Sequence, residues 1–156
     1  MNKNEIIVTK EEQTNLMSSN FDESVKTFDD LNLKQNLLRG IYGYGFEKPS
    51  IIQQKAILLI IQGKDVIAQA QSGTGKTGAF VIGTLQLIEP EKDEAQCLVL
   101  SPTRELADQT HMVYQFLGEY LKIKTCLLIG RVKLGQNIEK LNEGTEVLVG
   151  SPGRVL

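Results

Sequence analysis

The chain has 156 residues, of which 41% are hydrophobic and 23% charged, and its formal net charge at pH 7 is −2. These values are typical of a globular domain with its own core, and they argue against a protein that binds polyanions over its whole surface. The longest apolar stretch, residues 56–61, is much shorter than the roughly 20 residues that a membrane-spanning helix needs. The first residues also lack the basic and then apolar order of a secretory signal peptide.

The cysteine and histidine content argues against a zinc site. Cys97 and Cys126 both lie in apolar runs, and His111 is the one histidine of the chain. Two buried free thiols are expected in a reducing compartment, whereas a zinc site needs a cluster of such ligands. We therefore expect a cytoplasmic protein, and a nuclear location is also compatible with the sequence.

Residues 1–25 are predicted to form a disordered acidic leader. Residues 1–30 carry seven acidic and three basic side chains, and the first 25 have few apolar residues without a sustained period. The rest of the chain is nearly neutral. We expect the folded domain to span residues 26–156.

Two helices are predicted at the start of this domain. The first, residues 31–42, has leucine and isoleucine side chains on one face, and the sequence GYGFEKP interrupts it. Ser50 is the N-cap candidate of a second helix that runs to about residue 61. Gln53, in its first turn, presents an acceptor and donors in one plane and could pair with adenine N6 and N7. On chemistry alone, a glutamine at this position is more often a surface residue.

Short apolar strands then alternate with helices. This pattern predicts an α/β fold in which a mostly parallel sheet is covered by helices on both faces. In such sheets the binding sites lie at the carboxyl ends of the strands. Strands are expected near residues 65–70, 96–100, 125–129 and 146–150, and helices near residues 75–88, 103–118 and 133–142.

The first strand leads into AQAQSGTGKT, residues 68–77, which has the pattern of a phosphate-binding loop. The glycines let the backbone turn tightly and point its N–H groups inward, toward an anion at the start of the next helix. Lys76 would reach the β- and γ-phosphates and Thr77 would hold Mg²⁺, so these two are also the catalytic candidates. The alternative is a glycine-rich turn that is followed by Lys-Thr by chance. The predicted nucleotide-binding residues of the loop are Ala70, Gln71, Ser72, Gly73, Thr74, Gly75, Lys76, Thr77 and Gly78.

Two later motifs combine the same types of residue at the same place relative to a strand. PTRELADQ, residues 102–109, and SPGR, residues 151–154, each follow an apolar strand and combine a hydroxyl N-cap candidate, a proline and an arginine. A well-capped helix explains most of the first motif. It does not explain Arg104, a cation in an N-terminal turn, which a phosphate partner would explain.

The order and spacing of these motifs resemble the DEAD-box ATP-dependent RNA helicases, with particular likeness to the translation-initiation and exon-junction subgroup. The sequences that carry the resemblance are GFEKPSIIQQ (residues 45–54) with the upstream Phe28, AQAQSGTGKT, PTRELADQ and SPGR. It covers about residues 28–156 and implies the first of two RecA-like P-loop domains, with three layers. It also implies ATP or ADP with Mg²⁺ as cofactors, and Gln53 of the Q motif as the adenine-reading residue with Phe28 and Phe46 as aromatic partners.

The resemblance further implies that the chain binds single-stranded RNA through its backbone, without sequence preference. Contacts to phosphates and sugars do not read bases, and 2′-hydroxyl contacts select RNA. The implied RNA-binding residues are Pro102, Thr103, Arg104, Gly130, Arg131, Ser151, Pro152, Gly153 and Arg154.

Three positions depart from the family pattern. Where the family has paired glycines, this chain has Gly130 and Arg131, so that Arg131 either adds a phosphate contact or crowds the RNA path; we favour the contact. Gly78 stands where alanine is common, and glycine inside a helix costs about 0.5–1 kcal/mol, so we expect a looser first turn. Ser151 replaces a threonine and keeps its hydroxyl.

The acidic pair that binds Mg²⁺ and polarises water in P-loop ATPases does not follow any apolar strand of this chain. The resemblance places it after residue 156, together with a second RecA-like domain. We therefore expect a fragment that binds ATP or ADP and hydrolyses little, from a parent that unwinds RNA locally. Its expected partners are RNA, that second domain, and translation-initiation or mRNP proteins.

Two other functions compete with this one. The first is a non-catalytic nucleotide- or RNA-binding module that acts at this length. The second is another P-loop enzyme, such as a small-molecule kinase, in which Gln53 and the two arginine motifs would have no role.

Overall fold

The computed structural model of the chain describes residues 4–7, as a strand, and residues 25–156. The chain divides into two compact units, residues 1–86 and 87–156. Helices and strands alternate in the predicted order, and the strands pair in parallel, in one two-stranded and one three-stranded sheet. The α/β class is therefore confirmed.

The first unit contains the first two helices and the phosphate-loop segment. Its first helix begins four residues later than predicted, because residues 29–31 form a separate 3-10 turn that ends at Asn32 with a left-handed backbone (φ 51°). The core side chains Leu37, Ile41 and Ile82 are fully buried. The elements are β1 (Asn4–Ile7), α1 (Gln35–Gly43), α2 (Ile51–Ile61), β2 (Val66–Gln69) and α3 (Lys76–Leu87).

Strand β1 pairs with β2 in parallel, with Asn4 opposite Val66 and Ile7 opposite Gln69. It lies within the leader that was predicted to be disordered, and the pairing satisfies backbone groups of β2. Four residues with two isoleucines are too short to give a periodic signal. The remainder of residues 1–24 lies outside the described residues.

The second unit is a parallel sheet of order β3-β5-β4 with helices in its crossovers. Val147 and Val149 of the central strand are fully buried, whereas Leu98 and Leu100 on the outer strand are about half exposed. The elements are β3 (Cys97–Leu100), α4 (Arg104–Leu117), β4 (Thr125–Leu128), α5 (Leu134–Asn142), β5 (Val147–Gly150) and the short α6 (Pro152–Val155).

The register of this sheet brings three loops to one edge. Leu100, Gly150 and Leu128 are paired across the three strands, so the strands end together. Gly150 is required at this point, because a Cβ there would lie 2.6 Å from the Leu128 carbonyl oxygen. The segments that follow the three strands, which carry the predicted RNA-binding residues, therefore start side by side.

Buried polar groups anchor the opposite edge of the same sheet. Glu146, only 1% exposed, accepts a hydrogen bond of 2.6 Å from the Lys124 backbone N–H. His111 is also buried, and its Nε2 lies 3.0 Å from the Thr125 hydroxyl. These bonds fix the start of β4 against α4 and β5.

In the part of the chain that the structure describes, no helix is both long and apolar enough to cross a membrane. The same residues include no group of three or more His, Cys, Asp or Glu side chains placed to hold a metal ion.

Candidate functional site

The phosphate loop of the first unit joins the end of β2 to the start of α3. Gly73 and Gly75 have positive φ angles of 81° and 90°, which other residues adopt only with strain. The Thr74 hydroxyl donates to the Gln71 carbonyl at 2.8 Å and closes the turn. Gln71, Ser72 and Gly73 are exposed, so the loop is open to a ligand.

Lys76, the first residue of α3, lies back across this loop. Its ammonium group donates to the carbonyl oxygen of Ala70 and, at 2.7 Å, to that of Gln71. Thr77 follows in the first turn of the helix with a partly exposed side chain. The lysine thus already binds oxygen acceptors inside the loop, and phosphate oxygens are acceptors of the same kind.

The start of α2 forms a capping box. The Ser50 hydroxyl accepts from the Gln53 backbone N–H at 3.4 Å, and the Gln53 side-chain oxygen accepts from the Ser50 N–H at 2.9 Å. This confirms Ser50 as the predicted N-cap. The S-x-x-Q spacing is itself a capping-box pattern, so the sequence contained the signal for the second bond, which the prediction missed.

The same two side chains are bonded to the phosphate loop. The Ser50 hydroxyl donates to the Thr74 carbonyl at 2.8 Å, and the Gln53 amide nitrogen donates to the Gly75 carbonyl at 3.3 Å. Gln53 is 3% exposed and has a partner at each end of its amide. The predicted adenine-reading residue and the predicted phosphate loop are therefore directly connected.

Two glycines make room for the Gln53 amide. A Cβ at Gly75 would lie 2.7 Å from the Gln53 amide nitrogen, and a Cβ at Gly78 would lie 2.8 Å from the same atom. The Gly78 Cβ would also lie 3.2 Å from the ring of Phe46. Gly78 thus allows close packing at the start of α3. The looser first helix turn that the sequence led us to expect stays a prediction.

An aromatic cluster lies beside the Q motif. The rings of Phe28 and Phe46 are stacked with centroids 6.2 Å apart, and Tyr42 meets Phe28 edge-on at 6.3 Å. Tyr44 meets Phe46 edge-on at 5.0 Å. Phe28 is fully buried, whereas Phe46 is partly exposed. The two phenylalanines were expected here from the sequence and the two tyrosines were not; contact of either phenylalanine with a base stays a prediction.

In the second unit, the two helix starts differ in their capping. The Thr103 hydroxyl accepts from the Leu106 N–H at 3.2 Å, which confirms the predicted cap of α4. Ser151 makes no side-chain cap, so that part of the prediction is wrong. The Arg154 N–H, which a cap would use, already donates to the Ser151 carbonyl at 3.0 Å in the tight turn of α6.

Six of the predicted RNA-binding residues line one cavity of about 580 Å³ in the second unit. The cavity lies where β3 and β5 end, and Glu105 contributes the acidic side chain of its lining. The six residues are Pro102, Thr103, Arg104, Ser151, Pro152 and Gly153.

Both arginines of the two motifs contact the loop between β4 and α5, residues 129–133, hereafter the β4–α5 loop. The guanidinium of Arg104 covers Gly130, where a Cβ would lie 3.2 Å from its Nη2. Arg154 donates from Nε to the Ile129 carbonyl at 3.3 Å and from Nη2 to the Val132 carbonyl. The structure thus brings together Arg104, Gly130 and Arg154, with Arg131 in the same loop.

A glycine-rich loop between a parallel strand and a helix defines the P-loop α/β class, to which RecA-like domains belong. Residues 50–156 match the DEAD/DEAH box helicase family, and the chain belongs to this family. It is 52% identical over 139 residues to the protein named ATP-dependent RNA helicase eIF4A of Chaetomium globosum, covering 89% of this chain and 35% of that relative. It is 57% identical over 130 residues to the ATP-dependent RNA helicase FAL1 of Eremothecium gossypii, covering 83% and 33%. The chain therefore spans about a third of the length of these relatives.

Solved structures give the same result for the fold. Saccharomyces cerevisiae Dbp5 bound to RNA and ADP BeF3 is similar with a TM-score of 0.74 and 41% identity, over 83% of this chain and 33% of that one. A DEAD box protein from Methanococcus jannaschii is similar with a TM-score of 0.75 and 35% identity, over 84% and 36%. The RecA-like fold class that the sequence predicted is therefore confirmed.

Proposed function

We propose that this chain is the ATP-binding and RNA-binding part of an ATP-dependent RNA helicase. The observation that carries the proposal is the position of Gln53, whose amide bonds to Ser50 of the Q motif and to Gly75 of the phosphate loop. A group able to read a base is thereby fixed beside a loop able to hold phosphates.

The two bonds of Gln53 favour adenine. A glutamine amide has two acceptor sites on its oxygen and two N–H donors. Ser50 occupies one acceptor site and Gly75 takes one donor, which fixes the orientation of the amide and leaves one acceptor and one donor in its plane. Adenine offers a donor at N6 and an acceptor at N7, whereas guanine offers two acceptors. The proposed ligand is therefore ATP or ADP rather than GTP or GDP.

The phosphate loop fits the rest of that nucleotide. Lys76 now donates to two loop carbonyls, and phosphate oxygens would replace them as its partners. The backbone N–H groups at the start of α3 would add to the same anion site. Thr77 would hold Mg²⁺ that arrives with the nucleotide, and this metal would neutralise phosphate charge when bound.

The cavity of the second unit is the proposed RNA site. Arg104 and the hydroxyl residues Thr103 and Ser151 lie at the ends of neighbouring strands and offer donors for phosphates and sugars. Such contacts bind RNA irrespective of its sequence. The similarity to Dbp5, which was solved with RNA and ADP BeF3, supports this assignment.

We further propose that the intact protein couples ATP hydrolysis to local unwinding by means of an acidic pair that binds Mg²⁺ and polarises water, together with a second RecA-like domain. This chain alone hydrolyses little ATP. Translation-initiation or mRNP proteins are the proposed partners and the cytoplasm the proposed location, in line with relatives named eIF4A.

An RNA titration tests the proposal. The anisotropy of fluorescent oligouridine is followed with the wild-type chain and with Arg104→Ala over a series of KCl concentrations. We expect Arg104→Ala to weaken binding several-fold and to reduce the salt slope by about 0.7, the value for one phosphate contact on a single strand. Lys140→Ala, which removes an exposed lysine at the far end of α5, is the matched control and should change neither quantity. Absence of binding by the wild type, or equal slopes for all three proteins, would contradict it.

A further inference from the structure

We propose that Tyr42 is a positioning residue of the nucleotide site. Through its hydrogen bond to Asp29 it fixes Phe28, and Phe28 in turn fixes the Phe46 ring beside Gln53, where the adenine base would lie. The inference rests on the proposed function, because it takes the ligand to be ATP or ADP. It assigns different roles to two phenylalanines that the family resemblance implied together as aromatic partners of Gln53.

The two phenylalanine rings differ in what they can contact. Phe28 is fully buried, whereas Phe46 is partly exposed. The rings are stacked, with centroids 6.2 Å apart and an angle of 22° between their planes. Since protein atoms already cover Phe28, Phe46 is the ring left to contact a base, and Phe28 supports it.

The Phe46 ring lies beside the amide that is proposed to read adenine. An ideal Cβ at Gly78 would lie 3.2 Å from two atoms of the Phe46 ring and 2.8 Å from the Gln53 amide nitrogen. The backbone of Phe46 is held by its N–H, which donates to the Ile41 carbonyl at 3.2 Å. The orientation of the ring depends on the aromatic side chains packed against it.

Tyr42 joins Phe28 to the turn that follows it. The Tyr42 ring meets Phe28 edge-on, with centroids 6.3 Å apart and 83° between the planes. The Tyr42 hydroxyl donates to the carboxylate of Asp29, the next residue of the chain. The Phe28 carbonyl accepts from the Leu31 N–H at 3.2 Å in the 3-10 turn. One tyrosine on α1 therefore holds both the ring of Phe28 and the side chain that follows it.

The Tyr42 hydroxyl remains a donor at neutral pH. Its hydrogen bond to Asp29 raises the pKa of Tyr42, and burial and the charges of Asp29 and Asp30 act in the same direction. A bond to a carboxylate is stronger than one between neutral groups. Asp30 has other partners, because its carboxylate accepts from the N–H groups of Lys26 at 2.9 Å and Thr27 at 2.8 Å.

Loss of this bond should weaken contact with the base and leave the phosphates unaffected. Without it, the rings of Phe28 and Phe46 gain freedom that a nucleotide must remove when it binds, and this ordering lowers affinity. Lys76 is bonded to the loop carbonyls of Ala70 and Gln71, with no contribution from Tyr42. Inorganic pyrophosphate, which has no base, therefore provides the comparison with ADP.

Isothermal titration calorimetry with ADP and with pyrophosphate, each with Mg²⁺, tests the inference. We expect Tyr42→Phe and Asp29→Ala each to weaken ADP binding by roughly two- to ten-fold and to leave pyrophosphate affinity unchanged. Asp29→Asn keeps an acceptor oxygen and should retain most of the ADP affinity. The double variant should bind ADP no more weakly than either single variant, because both act through one bond.

Thr145→Ala is the control for general destabilisation. It removes a 2.8 Å hydrogen bond from a buried hydroxyl to the Lys140 carbonyl in the second unit, and should keep both affinities. Thermal melting of each variant shows whether the chain is still folded.

Three results would overturn the inference: wild-type ADP affinity of Tyr42→Phe, an equal loss of ADP and pyrophosphate affinity in that variant, or additive effects of the two substitutions. If Tyr42→Phe binds ADP as the wild type does while Lys76→Ala weakens binding of both ligands, the inference fails and the proposed function stands. If the wild type binds neither ligand, the proposed function fails and the inference fails with it.

Discussion

In the first unit the polar side chains of the candidate site are hydrogen-bonded to backbone groups of that site, whereas in the second unit several of the cations are exposed at the ends of strands. Ser50, Gln53 and Lys76 all make hydrogen bonds to carbonyls of the phosphate loop. Arg104 and Arg131 have no ion pair within the described residues. The proposed nucleotide site is therefore part of the packing of its unit, whereas the proposed RNA site lies at one edge of a sheet whose strands are already paired.

The difference follows from what each ligand requires. Discrimination between bases needs donors and acceptors held in one orientation. A buried group provides this when hydrogen bonds to the protein fix it and still leave it a donor and an acceptor for the base. Contact with a phosphate backbone needs positive charge near an exposed surface and little angular precision. Substitutions in the first site should thus affect folding and binding together, and substitutions of the exposed arginines should affect binding alone.

The largest effect is expected for Lys76→Ala. Loss of a charged hydrogen-bond donor to phosphate should weaken ADP binding by about 1.5–3 kcal/mol, or roughly ten- to 150-fold. Isothermal titration calorimetry with ADP and Mg²⁺ measures this, and Lys64→Ala, an exposed lysine before β2, is the control. Unchanged ADP affinity of Lys76→Ala would contradict the proposed nucleotide site, since the loop would then bind no phosphate.

The next largest effect is expected for the substitutions Gly75→Ala and Gly73→Ala. Both positions have positive φ, but only at Gly75 would the new Cβ meet another residue, the Gln53 amide at 2.7 Å. We expect a cost in unfolding free energy of about 1–2 kcal/mol from backbone strain at either site, and a further loss at Gly75 from the displaced amide. Urea denaturation measures both. Equal destabilisation would show that the bond between Gln53 and the loop contributes nothing to folding.

A smaller effect separates two hydroxyl residues of the second unit. Thr103→Ala removes the cap of α4 and should lower the unfolding free energy by about 1 kcal/mol. Ser151→Ala removes no cap and should change it by less than about 0.5 kcal/mol. Thermal melting of the two variants provides the measurement, and a larger loss for Ser151→Ala would contradict the observed capping.

The smallest effect depends on pH. Burial lowers the pKa of His111 below its usual value, although its hydrogen bond with Thr125 acts in the opposite direction. The unfolded chain therefore takes up the proton more readily, so stability is complete above about pH 6.5 and falls as the pH drops, by at most about 1.4 kcal/mol per pH unit. Urea denaturation at about pH 7.5 and about pH 5.5 should show this loss in the wild type. The unfolding free energy of His111→Gln should depend less on pH than that of the wild type. An equal pH dependence of the two proteins would mean that other groups cause the loss of stability.

Much of the fold followed from local sequence rules. Local features depend on neighbours within a few residues and can therefore be predicted from the sequence. They include the apolar strands, the helices between them, the phosphate loop and the caps at Ser50 and Thr103. The bonds of Gln53 to Gly75, 22 positions away, and of Arg154 to Ile129, 25 positions away, depend on how elements pack. The periodic pattern of apolar residues in the sequence does not predict such long-range bonds.

The burial of Phe28 illustrates the same limit. The family resemblance implied it as an aromatic partner of Gln53, but its enclosure by Tyr42 and Phe46 arises only when α1 packs against the preceding turn. Strand β1 was missed for a related reason, because its pairing with β2 is a tertiary contact of a short segment.

The most direct test of the account is the relative affinity for ADP and GDP of the wild type, Gln53→Ala and Gln54→Ala. Gln54 is the matched control, since it adjoins Gln53 on α2 but donates to the Pro49 carbonyl at 3.0 Å. A bidentate pair with adenine contributes about 1–3 kcal/mol of discrimination, so the wild type and Gln54→Ala should prefer ADP by roughly five- to 150-fold. Gln53→Ala should lose this preference. Equal affinities of the wild type for ADP and GDP, unaltered by Gln53→Ala, would contradict the account.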